Sequence, residues 1–349
     1  MGERCPLVIV GGGQAGLAAS YWAQQSGLDH VVLDGAASTG QAWRERYDHL
    51  QLFTPRRFSQ LPGLPLAGTP DGYPTKDEIA DYLAAYAEHF SLPVRQGAAV
   101  EEVRSDGLFV TRTAQAEVTS DALIVATGPF QAPRVPAWAD QLPPAVQQVH
   151  SSHYRNPTQI PGPRVLVVGG GNSGAQIGED LVKAGREVTW SSNGRPRFIP
   201  HRMLGRSIFW WTDAIGALDA GLDTWRARVA HWRGAAIFGR EMVRLISADR
   251  VRLVSKATGT RQGEILFEDD GAEAFDAVIW CTGYRNDYSW LDVPGALNAR
   301  GAPDHREGIA RGVPHLGFVG LEWQRTPSSA RLGGVGEDAR VVVEAVTSA

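Results

Sequence analysis

Short apolar runs alternate along this chain with segments whose apolar residues recur at helical spacing. Residues 7–10 form the first run, and its β-branched side chains predict a buried strand. A helical segment follows and ends near Gly27, and residues 30–34 predict a second strand. The same order recurs later, as residues 165–168, a helical segment ending near Gly185, and residues 187–191. Alternating strands and helices predict a parallel sheet in each unit.

A glycine-rich turn follows the first strand of each unit. Both turns have the pattern Gly-x-Gly-x-x-Gly, formed by Gly11, Gly13 and Gly16 and again by Gly169, Gly171 and Gly174. Each turn lies between a predicted strand and a predicted helix, which is the context that the dinucleotide-binding motif requires. The units also close with similar segments, residues 121–128 and residues 276–283. The duplication therefore predicts two bound dinucleotides, one in each unit.

Other segments lie between and after these units. Residues 38–70 form a long insertion rich in aromatic residues, arginine and proline. Thr75 and Glu78 predict a capping box at the start of a helix that extends to Phe90. Residues 129–163 are rich in proline and predict a linker with few regular elements. Near the end, a strand is predicted at residues 316–320, and a glycine loop after Leu332 leads into a helix with an acidic first turn.

This order of elements predicts an α/β fold with two Rossmann-like dinucleotide-binding domains. After residue 283 the chain must return to the first unit, so the second domain is inserted in the first. The first domain would then comprise residues 1–160 and 284–349, and the second domain residues 161–283. A length of 349 residues suits about two domains of roughly 150 residues each.

Composition restricts the partners and the location. The formal net charge of -4 gives no reason to expect nucleic acid. No apolar run reaches the ~18 residues of a membrane-spanning helix, and the first strand begins too early to leave room for a signal peptide. We therefore expect a soluble cytoplasmic protein with no membrane partner. The 40 glycines exceed the usual share of roughly 7%, and several of them lie in the nucleotide turns.

The cysteines and histidines exclude two kinds of chemistry. Cys5 and Cys281 are the two cysteines of the chain and are far apart in sequence, whereas a disulfide reductase needs a close thiol pair to relay electrons. Cys281 is predicted to lie in a buried strand, where packing is its expected role. His150 and His153 lie in a proline-flanked loop without a carboxylate partner. We therefore expect no metal site.

The residue at the end of the second strand distinguishes the two predicted nucleotide sites. Asp34 occupies this position in the first unit, and a carboxylate there accepts both ribose hydroxyls and repels a 2′-phosphate. Ser192 occupies it in the second unit, next to Ser191 and shortly before Arg195 and Arg197. Hydroxyl donors and guanidinium groups suit a 2′-phosphate, so NADP(H) is favoured over NAD(H) there. A polar turn with exposed arginines is the alternative.

A tryptophan-rich stretch covers residues 195–245. It includes Trp210, Trp211, Trp225 and Trp232. One hypothesis is a substrate lip or a subunit contact, because exposed aromatic residues mark such surfaces. The other is that amphipathic helices in an insertion pack their aromatic side chains inward. We favour inward packing.

Taken together, these residues resemble the flavin-containing monooxygenases, in particular the short bacterial single-chain type. The resemblance covers nearly the full length of the chain. It rests on both glycine turns, on Asp34, and on residues 40–43, 47–55, 61–63, 73–78, 126–128, 150–157 and 281–284. It implies FAD in the first domain and NADPH in the second, with NADH as the other possible reductant.

The resemblance also implies the reaction. Flavin reduced by NADPH reacts with O₂ to give a C4a-hydroperoxide, which transfers one oxygen to a small soft nucleophile or to a carbonyl compound. The flavin supplies this chemistry, and the protein positions it and excludes water. The expected partners are thus O₂ and a small-molecule substrate, and a homodimer is an open alternative to a monomer.

Site residues follow from the same resemblance. Trp43, His49, Phe53 and Thr54 would surround the isoalloxazine ring and are the catalytic candidates. Gly320 and the turn at residues 333–336 would lie near its pyrimidine edge, where a helix N-terminus stabilises negative charge. Asn172 and Ser173 would face the NADP pyrophosphate. The other cofactor-binding candidates are Gln14, Ala15, Gly40, Gln41, Val100, Thr127, Gly128, Thr282 and Gly283.

The chain departs from the family pattern in two places. Pro144 and Val146 stand where the family has phenylalanine and glycine before His150, and Phe53 stands near the position of a flavin-contacting asparagine. The alternative function is therefore an NAD(P)H-dependent oxidase or reductase that passes electrons to O₂ or a partner without oxygen insertion. A non-catalytic nucleotide-binding module is a third hypothesis, which the two intact phosphate turns disfavour.

Overall fold

The computed structural model describes residues 3–234 and 236–348. Strands outnumber helices along this length and include two long runs without an intervening α-helix. Up to residue 160 they are, in chain order, β1 (Glu3–Val10), α1 (Gln14–Gln25), β2 (His30–Leu33), α2 (Gln41–Arg44), α3 (Lys76–His89), β3 (Val94–Arg95), β4 (Val100–Asp106), β5 (Leu108–Thr113), β6 (Glu117–Val125), β7 (Ala132–Pro133) and β8 (Gln147–His150).

The second half of the chain contains more short elements. Up to residue 283 they are β9 (Arg164–Val168), α4 (Asn172–Lys183), β10 (Glu187–Ser191), β11 (Phe198–Ile199), β12 (Arg202–Met203), β13 (Arg206–Ser207), α5 (Ile208–Ala214), α6 (Trp225–Arg233), β14 (Ile237–Phe238), α7 (Glu241–Ser247), β15 (Val251–Val254), β16 (Ala257–Arg261), β17 (Glu264–Phe267), β18 (Ala272–Glu273) and β19 (Ala277–Trp280). The rest are β20 (Tyr284–Arg285), β21 (Leu291–Asp292), β22 (His305–Arg306), β23 (Ile309–Ala310), β24 (Leu316–Phe318) and α8 (Val335–Thr347).

The first sheet is built around β1, which pairs in parallel with β2 on one side and β6 on the other. Parallel strands β3 and β24 extend this group, whereas β5 and β4 continue the sheet in antiparallel order. Helices α1, α3 and α8 cover one face through residues such as Leu17, Leu83 and Val342. The carboxyl ends of five parallel strands therefore meet at one edge, which is where ligands bind in such sheets.

The second sheet is parallel throughout, in the order β15-β10-β9-β19-β8. Helices α4 and α7 pack on one face. The antiparallel strands β16, β17 and β18 cover the other, where Phe267 and Phe275 share a buried cluster with Trp280. The two layered sheets confirm the predicted fold class of two dinucleotide-binding units.

Local sequence signals place most element boundaries correctly. The capping box predicted at Thr75 is present, because the Thr75 hydroxyl accepts from the Glu78 backbone N–H (3.3 Å) and the Glu78 carboxylate accepts from the Thr75 N–H (2.8 Å). Gly27 and Gly185 follow α1 and α4 with φ angles of 67° and 80°. Glycine adopts these left-handed angles without strain, so it ends both helices cleanly.

One boundary differs from the prediction. Strand β8, Gln147–His150, pairs in parallel with β19 at the edge of the second sheet. The division at residue 160 assigns this strand to the first unit, and the proline-rich pattern around it predicted a linker. A single edge strand between prolines has no local signal beyond its pairing partner, which lies more than a hundred residues further along the chain.

The inward-packing hypothesis for the tryptophan-rich stretch is wrong for α6. Trp225 and Trp232 are 69% and 84% exposed. Trp210 and Trp211, next to each other in α5, are half-buried and form an edge-on pair with ring centroids 4.8 Å apart. The tryptophan-rich stretch thus places two of its four tryptophans on the surface.

Candidate functional site

The first glycine turn lies where β1, β2, β6 and β24 end. Gly11 follows β1 with a φ of 104°, and a Cβ at this position would lie 2.7 Å from the carbonyl oxygen of Ala126 at the end of β6. A Cβ on Gly16 would overlap the carbonyl oxygen of Gly11. Gly320 follows β24, and a Cβ there would approach Ala15 Cβ to 2.9 Å. Only glycine allows the turn to close this tightly on the start of α1.

The second turn repeats this geometry. Gly169 follows β9 with a φ of 128°, and a Cβ there would overlap the carbonyl oxygen of Cys281 after β19. A Cβ on Gly174 would overlap the carbonyl oxygen of Gly169. The pairs Gly11–Ala126 and Gly169–Cys281 therefore occupy equivalent places.

Both turns leave an open space directly before their helices. Gly13 and Gly171 are the residues that precede α1 and α4, and a Cβ on either would meet no other atom within 4 Å. The first backbone N–H groups of a helix have no intrahelical partner and carry partial positive charge. An open helix N-terminus free of side-chain bulk fits the pyrophosphate of a dinucleotide.

The strand-end residues stand in matching positions beside the middle glycine of each turn. A Cβ on Gly12 would lie 2.5 Å from the Asp34 carboxylate, and a Cβ on Gly170 would overlap the Ser192 hydroxyl. Burial raises the pKa of Asp34 above its ordinary value. Ser192 is also buried. The structure thus confirms that Asp34 and Ser192 are equivalent in the two units.

The Ser191 hydroxyl is engaged with the layer behind the second turn, and its predicted cofactor contact stays a prediction. Its hydroxyl donates to the carbonyl oxygen of Ser255 (2.8 Å) and accepts from the N–H of Ala257 (2.9 Å). Successive strand residues face opposite sides of a sheet, so the neighbour of Ser192 points away from the turn. Its role is to attach the strand layer that begins at β16.

The two arginines after β10 differ from each other. Arg197 is half-buried and donates to the carbonyl oxygen of Gly234 (2.8 Å), which ties it to the end of α6. Arg195 is exposed. Four residues were predicted to bind the 2′-phosphate. Of these, Ser192 and Arg195 remain the candidates whose side chains are not used in such backbone contacts.

Asn172 begins α4, but its side chain is turned to a neighbouring strand. Its amide donates to the carbonyl oxygen of Ala236 (3.1 Å), and its oxygen accepts from the N–H of Phe238 (3.0 Å). The predicted contact between Asn172 and the NADP pyrophosphate stays a prediction, and the backbone N–H groups of the turn are left for the phosphates. Ser173, the next residue, lies near the hydroxyl of Tyr47.

Gln14 holds the corresponding place at the start of α1. It accepts from the indole N–H of Trp43 (3.3 Å) and donates to the carbonyl oxygen of Ala330 (3.2 Å). Trp43 lies in α2, where Gly40 approaches α3 so closely that a Cβ would lie 2.5 Å from the carbonyl oxygen of Ala80. The predicted flavin residues Trp43 and Gln14 are thus brought together at the first turn, and Gly40 allows it.

Gln41 is engaged locally. Its side chain accepts from the N–H of Ala37 (2.7 Å) and donates to Glu45 (2.6 Å). It stabilises the short helix α2, and its predicted cofactor contact stays a prediction.

Four phenylalanines form an aromatic cluster between the two units. Phe53 stacks on Phe238 with ring centroids 4.6 Å apart and an interplanar angle of 11°. Phe209 lies 5.2 Å from Phe238 and 6.3 Å from Phe58. Sequence reasoning selected only Phe53 of these four. Phe209 and Phe238 come from the distant tryptophan-rich stretch, residues 195–245. Aromatic side chains in that stretch were the available signal.

Polar groups lie next to the aromatic cluster. The hydroxyls of Thr54 and Ser59 are 2.6 Å apart and buried. The guanidinium of Arg331 lies 5.5 Å above the ring of Phe209, and burial lowers its pKa. Arg331 directly follows Ala330, the partner of Gln14. Sequence reasoning missed this arginine, whose position depends on the loop before α8.

His49 contacts the second unit rather than the centre of the cluster. Its Nδ1 lies 3.1 Å from Asp180 in α4, and its side chain is 65% exposed. The same carboxylate accepts from the hydroxyl of Tyr154 (2.9 Å). Tyr47, two residues earlier, is buried in the core of the second unit and donates to Gln176 (3.2 Å). This segment therefore joins the units, and the predicted place of His49 beside the flavin stays a prediction.

The closing segments of the two units surround their turns. Gln131 donates to the Thr127 hydroxyl and to the Gly128 carbonyl oxygen, at 2.8 Å in each case. The Thr282 hydroxyl donates to the carbonyl oxygen of Arg134. The Gly283 carbonyl oxygen accepts from the backbone N–H of Arg134 (3.0 Å). These bonds leave the backbone after each strand close to its glycine turn.

Two further predicted positions lie at the edges of the first site. Val100 opens β4, is half-buried and packs against a core cluster of the first sheet. Gly333 belongs to the turn before α8, and a Cβ there would lie 2.5 Å from the carbonyl oxygen of Phe58. The N-terminus of α8 is thereby held against the segment that supplies Thr54 and Phe58.

A cavity of about 410 Å³ opens between α6 and the loop after β24. It is mostly apolar and includes Leu222, Trp232 and Trp323 in its lining. Trp323 has a φ of 58°, a left-handed conformation that is uncommon for a large residue. It stacks edge-on with His231 at 5.0 Å.

A metal cluster, a membrane-spanning helix and a reactive thiol are three further features to consider in the described residues. Residues 3–234 and 236–348 contain no group of three His, Cys, Asp or Glu side chains that could hold a metal ion. In the same ranges no helix is both long and apolar enough to cross a membrane. Cys5 and Cys281 are free thiols, and burial raises the pKa of Cys281 to about 12. A protonated thiol of this kind is unreactive at neutral pH.

Comparisons with known proteins agree with this geometry. Residues 8–214 match the profile of the pyridine nucleotide-disulphide oxidoreductases. The CzcO-like oxidoreductase of Geobacillus kaustophilus is 40% identical over 97% of each chain. The indole-3-pyruvate monooxygenase YUCCA1 of Oryza sativa is 33% identical, with 87% of this chain and 81% of that protein covered. A flavin-containing monooxygenase from Stenotrophomonas maltophilia superposes with a TM-score of 0.81 at 30% identity, covering 99% of this chain and 98% of that one.

Two layered sheets, each with a glycine turn at a helix N-terminus, define a flavoprotein oxidoreductase with two dinucleotide sites. The chain belongs to the pyridine nucleotide-disulphide oxidoreductase family and is of the flavin-containing monooxygenase type. FAD and NADPH are the cofactors of this class. Its two cysteines form no redox pair, so electrons do not leave the flavin through a dithiol.

Proposed function

We propose that this protein oxidises NADPH and inserts one oxygen atom of O₂ into a small substrate, either a soft nucleophile such as a sulfide or amine, or a carbonyl compound. The rice relative is named for indole-3-pyruvate, which is a carbonyl compound. The apolar cavity beside Trp323 and the four-phenylalanine cluster support a substrate with an apolar or aromatic body.

The observation that carries this proposal is a continuous series of contacts between the two helix N-termini. At the start of α4, Asn172 holds Phe238, which stacks on Phe53 and packs against Phe209. The guanidinium of Arg331 lies over Phe209. The backbone next to Arg331, at Ala330, is held by the first residue of α1. A hydride donor on one turn and a flavin on the other would therefore extend toward the same aromatic cluster.

The residues have separable roles in this proposal. Asp34 would accept the ribose hydroxyls of FAD, and Ser192 with Arg195 would bind the 2′-phosphate of NADPH. Bound flavin accepts a hydride from the nicotinamide and, once reduced, activates O₂. The N-terminus of α8 would stabilise negative charge on the ring. Trp43, Thr54 and the phenylalanines would position the ring and exclude water, which suppresses side reactions.

The alternative is an oxidase or reductase without oxygen insertion. It shares the fold and both cofactors and differs in the fate of the reduced flavin. Relatives named as monooxygenases at 33% and 30% identity do not favour it. A cytoplasmic location and a homodimer stay predictions.

The test is a coupling measurement on the FAD-loaded protein. NADPH consumption, hydrogen peroxide release and product formation are followed under ¹⁸O₂ with a panel of thioethers, tertiary amines, aryl ketones and aromatic 2-oxo acids. We expect at least one class to acquire one labelled oxygen per NADPH while peroxide release falls. Equimolar peroxide with every class would support the oxidase instead.

A further inference from the structure

The outward face of helix α6 is apolar, which is the reverse of an ordinary surface helix. Trp225, Val229 and Trp232 are 69%, 39% and 84% exposed. Their spacing of four and then three residues places them on one side of the helix. Ala227, on the opposite side, is 1% exposed and faces the protein. Leu222, just before the helix, is 41% exposed and extends the apolar surface.

Arginines border this apolar face on both sides. At about 100° per residue, Arg226 lies on one flank of Trp225 and Arg228 on the other. Both arginines are exposed, and the guanidinium of Arg226 lies 5.5 Å above the ring of Trp225. The exposed surface of α6 therefore consists of an aromatic and aliphatic centre between two cations.

Such a surface matches a lipid headgroup region. Tryptophan is favoured where one part of the ring is apolar and the other is hydrated. Arginine can bury its aliphatic stem beside apolar neighbours and extend its charge to a phosphate. A helix with exposed tryptophan and flanking arginines is typical of interfacial binding to anionic membranes.

We propose that α6 docks this protein on an anionic lipid surface, with Trp225, Val229 and Trp232 in the headgroup region and Arg226 and Arg228 on lipid phosphates. A second copy of the chain fits less well as the occupant. Symmetric self-docking would place the same arginines of both copies close together, and like charges across an interface are unfavourable. The proposal does not depend on which substrate the flavin site oxidises, and it replaces the expectation that no membrane is a partner.

The test is flotation of the full-length FAD-loaded protein with vesicles of phosphatidylcholine alone or with about one-quarter phosphatidylglycerol. We expect binding to the anionic vesicles that weakens as salt is raised, because salt screens the attraction. The double variant Trp225→Ser/Trp232→Ser should lose at least about tenfold in partition coefficient. Arg226→Gln/Arg228→Gln should lose about fivefold for each arginine, and only on anionic vesicles.

A matched control keeps an exposed apolar residue outside α6. Leu204, in the same insertion, is 83% exposed, and Leu204→Ser should bind vesicles as the wild type does. FAD content in lipid-free buffer should be unchanged in all variants, which shows that they are folded.

Two results would overturn the proposal. One is wild-type protein that does not float with anionic vesicles at low salt. The other is a wild-type dimer in sedimentation velocity that the double tryptophan variant converts to a monomer, because the face would then be a subunit contact.

Discussion

The glycine turns of the two units have the same backbone and different surroundings. In both, a Cβ on the third motif glycine, Gly16 or Gly174, would overlap the carbonyl oxygen of the first motif glycine. The residue before the helix faces open space in both. The side chain at the strand end differs, because Asp34 stands beside the first turn and Ser192 beside the second. The backbone geometry of both turns fits phosphate, and a single side chain beside each turn differs, as the predicted difference in ribose preference requires.

The helices that follow the turns also differ. Gln14 of α1 connects to Trp43 and Ala330 within the first unit and its loops. The side chain of Asn172 in α4 hydrogen-bonds to Ala236 and Phe238 of the tryptophan-rich stretch. Each first helical side chain therefore fixes the structure around a site rather than the nucleotide. The comparison teaches that the first helical side chain of each unit bonds to protein groups around the turn, which leaves the turn's backbone N–H groups for the predicted nucleotide contacts.

The largest test of this comparison uses equivalent glycines. Gly16→Ala should give protein without FAD, since the new Cβ overlaps the Gly11 carbonyl oxygen. Gly174→Ala should keep FAD and lose anaerobic reduction by NADPH, while dithionite still reduces the flavin. Absorbance of the bound flavin measures both effects. Gly178→Ala in α4 is the control, because its Cβ would meet the flexible end of Met242.

The two glycine variants separate the sites only if they behave differently. If Gly174→Ala were reduced by NADPH as fast as the wild type, the second turn would not hold the reductant.

A smaller effect is expected from exchanging the strand-end residues. In Ser192→Asp the new carboxylate would face a 2′-phosphate, and Asp34 beside Gly12 shows that such a turn accommodates the side chain. We expect KM for NADPH to rise about tenfold to a hundredfold, because close like charges cost several kcal/mol. KM for NADH should change much less. Steady-state oxidation of the two coenzymes measures this.

Ser192→Ala is the control for the charge. It removes the hydroxyl without repulsion and should raise KM for NADPH only a few-fold, by about one hydrogen bond. Equal effects of Ser192→Asp on both coenzymes would show that the 2′-phosphate lies elsewhere.

The smallest effect concerns stability, and it distinguishes α4 from α1. Helix α1 has no ionisable carboxylate, whereas Glu179 of α4 has its pKa raised to about 7 by burial and by Glu241 nearby. The folded protein then keeps a proton on Glu179 that the unfolded chain loses above about pH 4.5. The free energy of unfolding therefore falls as pH rises from 4.5 to 7.

Glu179→Gln removes this dependence. We expect the variant to gain about 1–2 kcal/mol over the wild type across that window, after allowance for partial exposure. Thermal unfolding at several pH values measures the difference. Glu187→Gln, at an exposed position on β10, is the control and should track the wild type. A constant difference between Glu179→Gln and wild type at all pH values would contradict the explanation.

Sequence reasoning succeeded where the signal is local. The glycine turns, the strands before them and the capped helix α3 depend on residues within a few positions of each other. The equivalence of Asp34 and Ser192 also follows from spacing alone. The same reasoning did not anticipate that the polar groups of Ser191 and Asn172 bond to Ala257 and Phe238 in distant segments. It was wrong for Trp225 and Trp232, because helical spacing does not say which face of α6 meets the protein.

The sequence by itself determined two dinucleotide-binding units, the inserted order of the domains and the equivalence of Asp34 and Ser192, because a few backbone-compatible residues at fixed spacing suffice for each. The tertiary structure alone decided the rest. It turned His49 to Asp180, assembled Phe53, Phe58, Phe209 and Phe238 into one cluster, and placed Arg331 over it. These contacts join segments that are far apart in the chain, and which of them meet is set by how whole sheets and helices pack, not by any local pattern.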